Sequence, residues 1–217
     1  MVRTIAHQRP AQIMAAAFVA LILAAYAISP AMASPRGAAA EVFIEELAAG
    51  GITMLETRSY SDTEREREFR RLVRKGFALD AIGQFVAGRH WRTMSEDQRA
   101  EFRDLFSEWM LTSYARQLGG YDGQTMEIIS SVELDNRARD IVVRTRITHT
   151  GGQLPIAAAW RIRELGGELK IIDVIIEGVS MAAAQRAEYD AVIRKIGIEG
   201  LLDDLRSRLA VLVAGAE

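Results

Sequence analysis

The stretch LKIIDVIIEGVSMAAA, residues 169–184, constrains the fold more than any other part of the chain. Side chains alternate across a strand. Ile172, Val174 and Ile176 therefore point one way, and Leu169, Ile171, Asp173 and Ile175 the other. Both faces are largely apolar, and Asp173 is the one acid among them. Such a strand must be covered on one face and largely covered on the other. Glu177-Gly178 reads as a tight turn, and Ser180 as the N-cap of a helix, its hydroxyl accepting from an N–H of the first turn. Any fold of this chain has to set a buried strand directly against a helix start.

The chain begins differently. Arg3, His7 and Arg9 precede an uncharged run over residues 13–28, and Ala31-Met32-Ala33 then offers small residues at A-x-A spacing. This is the pattern of a secretory signal peptide. The run is shorter than the ~20 residues of a usual membrane-spanning helix. The expectation is a signal over residues 1–33 and a single domain over residues 34–217, long enough for a core of its own. Loss of Arg3 and Arg9 takes Lys+Arg from 27 to 25 against 29 Asp+Glu, so the net charge moves from −2 to −4. That balance does not suggest nucleic acid binding. There is no cysteine, hence neither a disulfide nor a cysteine-linked lipid anchor. The expected product is soluble and exported to the periplasm.

Helical spacing dominates the first half. Residues 38–56 carry Val42, Ile44, Leu47, Ile52, Met54 and Leu55 at roughly helical intervals. Gly50-Gly51 predicts a kink or break, since each glycine costs about 1 kcal/mol in a helix interior. After a linker at residues 59–62, a second helix opens at Asp62 or Thr63, with Phe69, Leu72, Val73 and Phe77 as its apolar stripe. Arg65, Arg67, Arg70, Arg71, Arg74 and Lys75 make its outer face basic. The plainer reading is a solvated face paired with Glu64, Glu66 and Glu68; the sharper one is contact with acidic headgroups or an acidic partner. Asp80 is read as the cap of a short helix carrying Ile82, Phe85 and Val86 and ending at Gly88. Ser95 and Gln98 form a capping box. The helix that follows carries Phe102, Leu105, Phe106, Trp109, Met110, Ser113, Gln117 and Leu118, with Tyr114 and Tyr121 at its edge and Gly119-Gly120 as its stop.

From Gln124 the period changes to two. Met126 and Ile128 alternate with their neighbours, and Ile141, Val143, Thr145 and Ile147 make a half-buried strand. Gly151-Gly152 turns into a third strand, with Ile156, Ala158, Trp160 and Ile162 on one face. Gly166-Gly167 turns into the strand at 169–176. Short turns imply an antiparallel meander. Two closing helices are separated at Gly197, the last carrying Leu201, Leu202, Leu205 and Leu209. The fold class is therefore α+β: a helical part over residues 38–121, a four-stranded antiparallel sheet over 124–176, and C-terminal helices over 180–213.

Catalytic patterns are poorly represented. Gly178-Val179-Ser180-Met181-Ala182 resembles a nucleophile elbow, but Ala182 stands where a glycine is required and no His follows the Ser. His90 and His149, without cysteines, do not make a common zinc site, and no metal-binding spacing occurs. No cofactor loop is present either. Asp173 could act as a base in a cavity, or pair with Arg161 or Arg163 on the neighbouring strand. Ala158, small between Ile156 and Trp160, suggests a hollow over the sheet. Closed by the aromatic long helix, such a hollow could hold an apolar ligand.

Two stretches carry a family resemblance. One is Gly88-Arg89-His90-Trp91-Arg92 followed by Ser95-Glu96-Asp97-Gln98-Arg99, Phe102, Phe106 and Tyr114; the other is Asp173-Val174, Glu177-Gly178-Val179-Ser180, Arg186, Glu188, Ile193 and Gly200-Leu201. Together they resemble the MlaC (toluene-tolerance) family of periplasmic phospholipid-binding proteins. The resemblance implies an NTF2-like fold whose cavity takes lipid acyl chains. It also implies shuttling between an outer-membrane lipoprotein complex and an inner-membrane MCE-type ABC transporter, with no catalysis. The family usually has aromatic residues in the strand before D-V, where this chain has Leu169 and Ile172; a related branch is associated with hopanoid lipids. Chosen by face, the expected lipid-binding wall is Phe85, Leu105, Phe106, Trp109, Met110, Tyr114, Val143, Ile147, Ile156, Ala158, Trp160, Ile172, Val174, Ile176 and Val179.

Overall fold

In the computed structural model the described residues are 34–116, 123–135 and 140–214. The expected signal segment, and Gln117, Leu118, Gly119-Gly120 and Tyr121, lie outside them. Helix α1 (Pro35–Glu56) starts at Ser34, whose hydroxyl accepts from Gly37 N at 3.0 Å, with Pro35 in the first turn. The expected break at Gly50-Gly51 does not occur, and the helix runs through both. The reason is packing. A Cβ on Gly50 would lie 3.0 Å from Leu72 Cδ2, so the missing side chain lets a second helix come close. That helix, α2 (Asp62–Gly76), is opened by a Ser61/Glu64 capping box.

Helix α3 (Leu79–Ala87) is not capped by Asp80, which lies inside its first turn; the cap position is Ala78 and has no side-chain bond. A 3-10 turn (Gly88–Arg92) leads to α4 (Glu96–Ala115), whose Ser95/Gln98 capping box is present as expected. Five antiparallel strands follow in sequence order: β1 (Thr125–Glu133), β2 (Ile141–Thr148), β3 (Ile156–Leu165), β4 (Glu168–Ile176) and β5 (Val179–Ser180). The expected four strands become five because the Glu177-Gly178 turn is a hairpin. Both residues have positive φ, 49° and 81°, as a two-residue hairpin turn demands, so Val179 pairs back with Ile176. The final helical run, α5 (Met181–Ala214), is interrupted at Gly197 (φ 78°, ψ 179°), where the break was expected.

Two β-bulges set which side chains face inward. In β1 the register slips between Ile128 and Ser130, leaving Ile129 exposed. Across β3 and β4, Arg161 pairs with Asp173 but Ile162 pairs with Ile171, so Ile172 is the extra residue. The inner face of β4 is therefore Leu169 and Ile171, then Val174 and Ile176. Strict alternation put Ile172 with Val174; the bulge changes the phase between them.

The apolar core has two main parts. One joins α3, α4 and α5 through Phe102, Phe106, Tyr189, Leu201, Leu202 and Leu205. The other joins α1 to the inner sheet face through Ala40, Ile44, Ile141, Val143, Ile162 and Ile171. Phe77 forms a bridge with Ile171, and Ala78 N donates to Ile171 O at 2.9 Å, so the α2–α3 junction is fastened to β4. Among the described residues no helix is long and apolar enough to cross a membrane.

Candidate functional site: an apolar cavity between helices and sheet

Between the two core regions lies a cavity of about 580 Å³, open to solvent. Its walls come from every layer. Helix α1 gives Ile44, Leu47, Ala48, Gly51, Met54 and Leu55; α2 and its end give Phe69, Leu72, Val73 and Phe77; α3 gives Ile82 and Val86. Helix α4 gives Phe106, Trp109, Met110 and Tyr114. The sheet gives Met126, Trp160, Asp173, Val174 and Ile176, and the start of α5 gives Met181, Ala182 and Gln185. The size lies within the ~300–1,000 Å³ of small-molecule sites.

Seven of the expected wall residues are brought together here: Phe106, Trp109, Met110, Tyr114, Trp160, Val174 and Ile176. Eight are placed elsewhere. Phe85 is 44% exposed on the outer side of α3, beneath the guanidinium of Arg186. Leu105 packs into the helical core, and Val143 is fully buried under α1. Ile147 and Ile156 pair with each other at one end of the sheet. Ile172 is turned away by the bulge, and Val179 is exposed beyond the hairpin turn.

Ala158 is buried but does not open a hollow. The Trp160 indole Nε1 donates to Thr145 Oγ1 at 3.0 Å, and Thr145 is the cross-strand partner of Ala158. The indole is thus anchored on the residue that faces Ala158 across the strands. Its one polar atom is satisfied there, so the rest of the ring can serve as apolar wall.

The largest omission from the expected wall is α1 and α2. Their apolar stripes were legible as stripes, but a stripe facing a cavity has the same spacing as one facing a filled core.

Polar chemistry in the cavity is sparse. Asp173 Oδ2 accepts from Ser180 Oγ at 2.6 Å, and Oδ1 accepts from Ala182 N at 3.0 Å. Ser180 Oγ in turn accepts from Ala183 N at 3.0 Å, the N-cap bond expected of it. Both oxygens of Asp173 are thus committed to the start of α5. Arg161 and Arg163, the partners expected for Asp173, bind Asp140 instead, with Arg161 Nε at 2.8 Å and Arg163 Nε at 2.7 Å. Among the described residues no group of three His, Cys, Asp or Glu stands close enough to hold a metal ion. The arrangement suits holding an apolar body.

Comparison with known proteins follows the same line. A family model described as MlaC protein matches residues 48–207. The intermembrane phospholipid transport system binding protein MlaC of Haemophilus influenzae is 31% identical over 131 residues, 59% of this chain and 60% of that protein. This chain therefore spans about 60% of the length of that curated relative. The phospholipid-binding protein from Ralstonia solanacearum, solved in complex with a phospholipid, superposes with a TM-score of 0.68 at 20% identity. That match covers 79% of this chain and 97% of the other, and is a likeness of fold. With the family match running from within α1 to the second half of α5, the chain belongs to the MlaC family.

Proposed function

We propose that this protein is a soluble periplasmic carrier that takes phospholipid acyl chains into the apolar cavity. It passes lipid between an outer-membrane lipoprotein complex and an inner-membrane MCE-type ABC transporter. In this reading residues 1–33 are a cleaved export signal, residues 34–217 are one NTF2-like lipid-binding domain, and no reaction is catalysed. Family membership supports the reading, as does the phospholipid held by the Ralstonia protein.

The observation that carries it is the unfilled hollow. Protein interiors are close-packed. This cavity stays unfilled and open to solvent, so without a ligand its apolar walls face water. An acyl chain of ~15 CH₂ groups exposes about 12 kcal/mol of apolar surface when it crosses water. Seating the chain in the cavity takes both apolar surfaces, wall and chain, out of water. A carrier must also stay near energetic balance with a bilayer in order to unload. Walls with few specific polar contacts fit that need better than a tight headgroup site.

The test is organic extraction of protein purified without detergent, followed by mass spectrometry. Phospholipid near one molecule per protein is expected, and a bulkier substitution at the wall, Met110→Trp, should lower it. A hopanoid mass would move the reading to that lipid class. An empty protein, with or without a turnover that Asp173→Asn abolishes, would overturn the carrier.

A further inference from the structure

The Gly88–Arg92 turn and Arg186 belong to the stretches that resemble the family, yet neither the turn nor Arg186 lines the cavity. They meet in a second, polar notch of about 300 Å³ between the C-terminal end of α3 and α5. Its floor is made of small residues, Ala87, Gly88, Ala183 and Ala187, and its sides are Arg89, His90, Arg186 and Asp190.

Arg186 is held in place by what surrounds it. Its guanidinium carbon lies 5.2 Å from the centroid of the Phe85 ring. On another side it rests against Gly88, where a Cβ would come within 2.7 Å of Arg186 Nε; Gly88 also has φ +60°. Among the described residues no acid pairs with Arg186 and none accepts a hydrogen bond from it. The nearby acid is fully used: Asp190 receives His90 Nε2 at 2.7 Å, Arg89 Nη2 at 3.0 Å and Arg194 Nε at 3.3 Å. Two arginines, Arg89 and Arg186, line the notch against one carboxylate, which leaves it one excess positive charge. The chain as a whole is net negative.

A guanidinium whose orientation is already fixed loses little entropy on forming two parallel bonds to a carboxylate. Beside it Phe85 is 44% exposed, an apolar platform next to a charged fork. Arginine and aromatic side chains are the usual anchors of protein interfaces. From this arrangement we propose that the notch is a docking site for an acidic segment of a partner protein, one carboxylate bound by Arg186 and an adjacent apolar side chain seated on Phe85. The inference rests on the carrier reading in one respect, that a shuttle must dock; it assigns where.

The test titrates the lipid-loaded protein with a synthetic Leu-Glu-Leu-Glu peptide and follows backbone amide shifts by NMR. Saturable shifts around residues 85–90 and 183–190 are expected. Replacing both glutamates of the peptide by glutamine should weaken binding at least ~10-fold, as should Arg186→Gln. Arg186→Lys, which keeps the charge but loses the fork, should recover only part of the affinity. Equal binding of the two peptides, no saturation, or an unchanged response in Arg186→Gln would overturn the proposal. So would preferential binding of inorganic phosphate, or of anionic phosphatidylglycerol vesicles, at the same amides. Lipid content measured on the same samples separates this failure from failure of the carrier: Arg186 does not line the cavity, so its variants should keep their lipid.

Discussion

Asp140 has no solvent exposure, and it is the point where the outer face of the sheet is tied together. Arg161 and Arg163 both reach it, and hydrogen bonding to Asp140 is the main influence holding the Arg163 guanidinium above its usual basicity. Breaking a fully buried ion pair costs about 3–5 kcal/mol. Here both arginine side chains are about a third exposed and can rehydrate, so Asp140→Ala should cost less, about 2 kcal/mol. The check is a lower urea midpoint at unchanged slope, with lipid content intact because the triad lies on the face away from the cavity. Nothing in the sequence marked Asp140, while Asp173 had the right register opposite Arg161 and still was not the partner. Register places backbones; the choice between two acceptors was made by Ser180 and Ala182, which claim both oxygens of Asp173. Asp190 makes a second prediction at this scale. The hydrogen bond from His90, then Arg194 and Arg89, holds its carboxyl below the ordinary value. A folded-state value that is depressed gives stability present above the unfolded value and lost as pH falls through the folded one. Asp190→Asn should therefore destabilise at pH 7, and its urea midpoint should converge on that of the unsubstituted protein as pH falls below about 4.

Helices α1 and α2 meet through glycine at two points. A Cβ on Gly76 would stand 2.7 Å from Leu47 Cδ2. Leu47 lines the cavity, so its methyl groups have somewhere to go. Gly76→Ala should consequently change stability by no more than about 1 kcal/mol, the helix preference for alanine offsetting the crowding. It should push Leu47 inward and reduce bound lipid. Unchanged lipid per protein in Gly76→Ala would show that this helix pair does not set the cavity's width. The kind and order of the elements were largely legible: capping boxes at Ser95, the N-cap at Ser180, the meander, and the break at Gly197 all have local causes. What was not legible has non-local causes. Gly50-Gly51 reads locally as a break, but Gly50 is a contact point for Leu72 from another helix and Gly51 faces the cavity, neither of which the local sequence shows. Ile172 reads as an inward residue and is a bulge, because only the pairing of β3 with β4 reveals the extra residue. The bulge is what lets Leu169 and Ile171 join the core while Val174 and Ile176 reach the cavity.

At the scale of the molecule, the cavity lies between two cores and shares residues with both: Ile44 belongs to the core between α1 and the sheet, and Ile82, Val86, Phe106 and Ala182 to the helical core around Tyr189. The wall between them keeps large side chains such as Leu55, Phe69, Trp109 and Trp160 only part-buried. A protein so built should fold without ligand and be tightened by it, since each core also has buried residues that do not line the cavity, such as Phe102, Tyr189, Leu202 and Leu205 in one and Val143, Ile162 and Ile171 in the other. Lipid bound to the native state alone stabilises by mass action, about 2.7 kcal/mol at 100 times Kd. For a chain of this size each kcal/mol moves Tm by about 2–4 °C, so delipidated protein should melt about 5–10 °C below the loaded form. Added short-chain phosphatidylglycerol should restore the difference in a concentration-dependent way. Substitution of Trp109 by Ala should shrink that lipid-dependent increment, because Trp109 forms wall and lies outside the fully buried sets. Leu202→Ala, by contrast, should lower Tm in both forms equally, because Leu202 is buried in the helical core and does not line the cavity. Equal melting of loaded and delipidated protein would mean that lipid does not bind the native state in preference to the unfolded chain, and the carrier reading would fall.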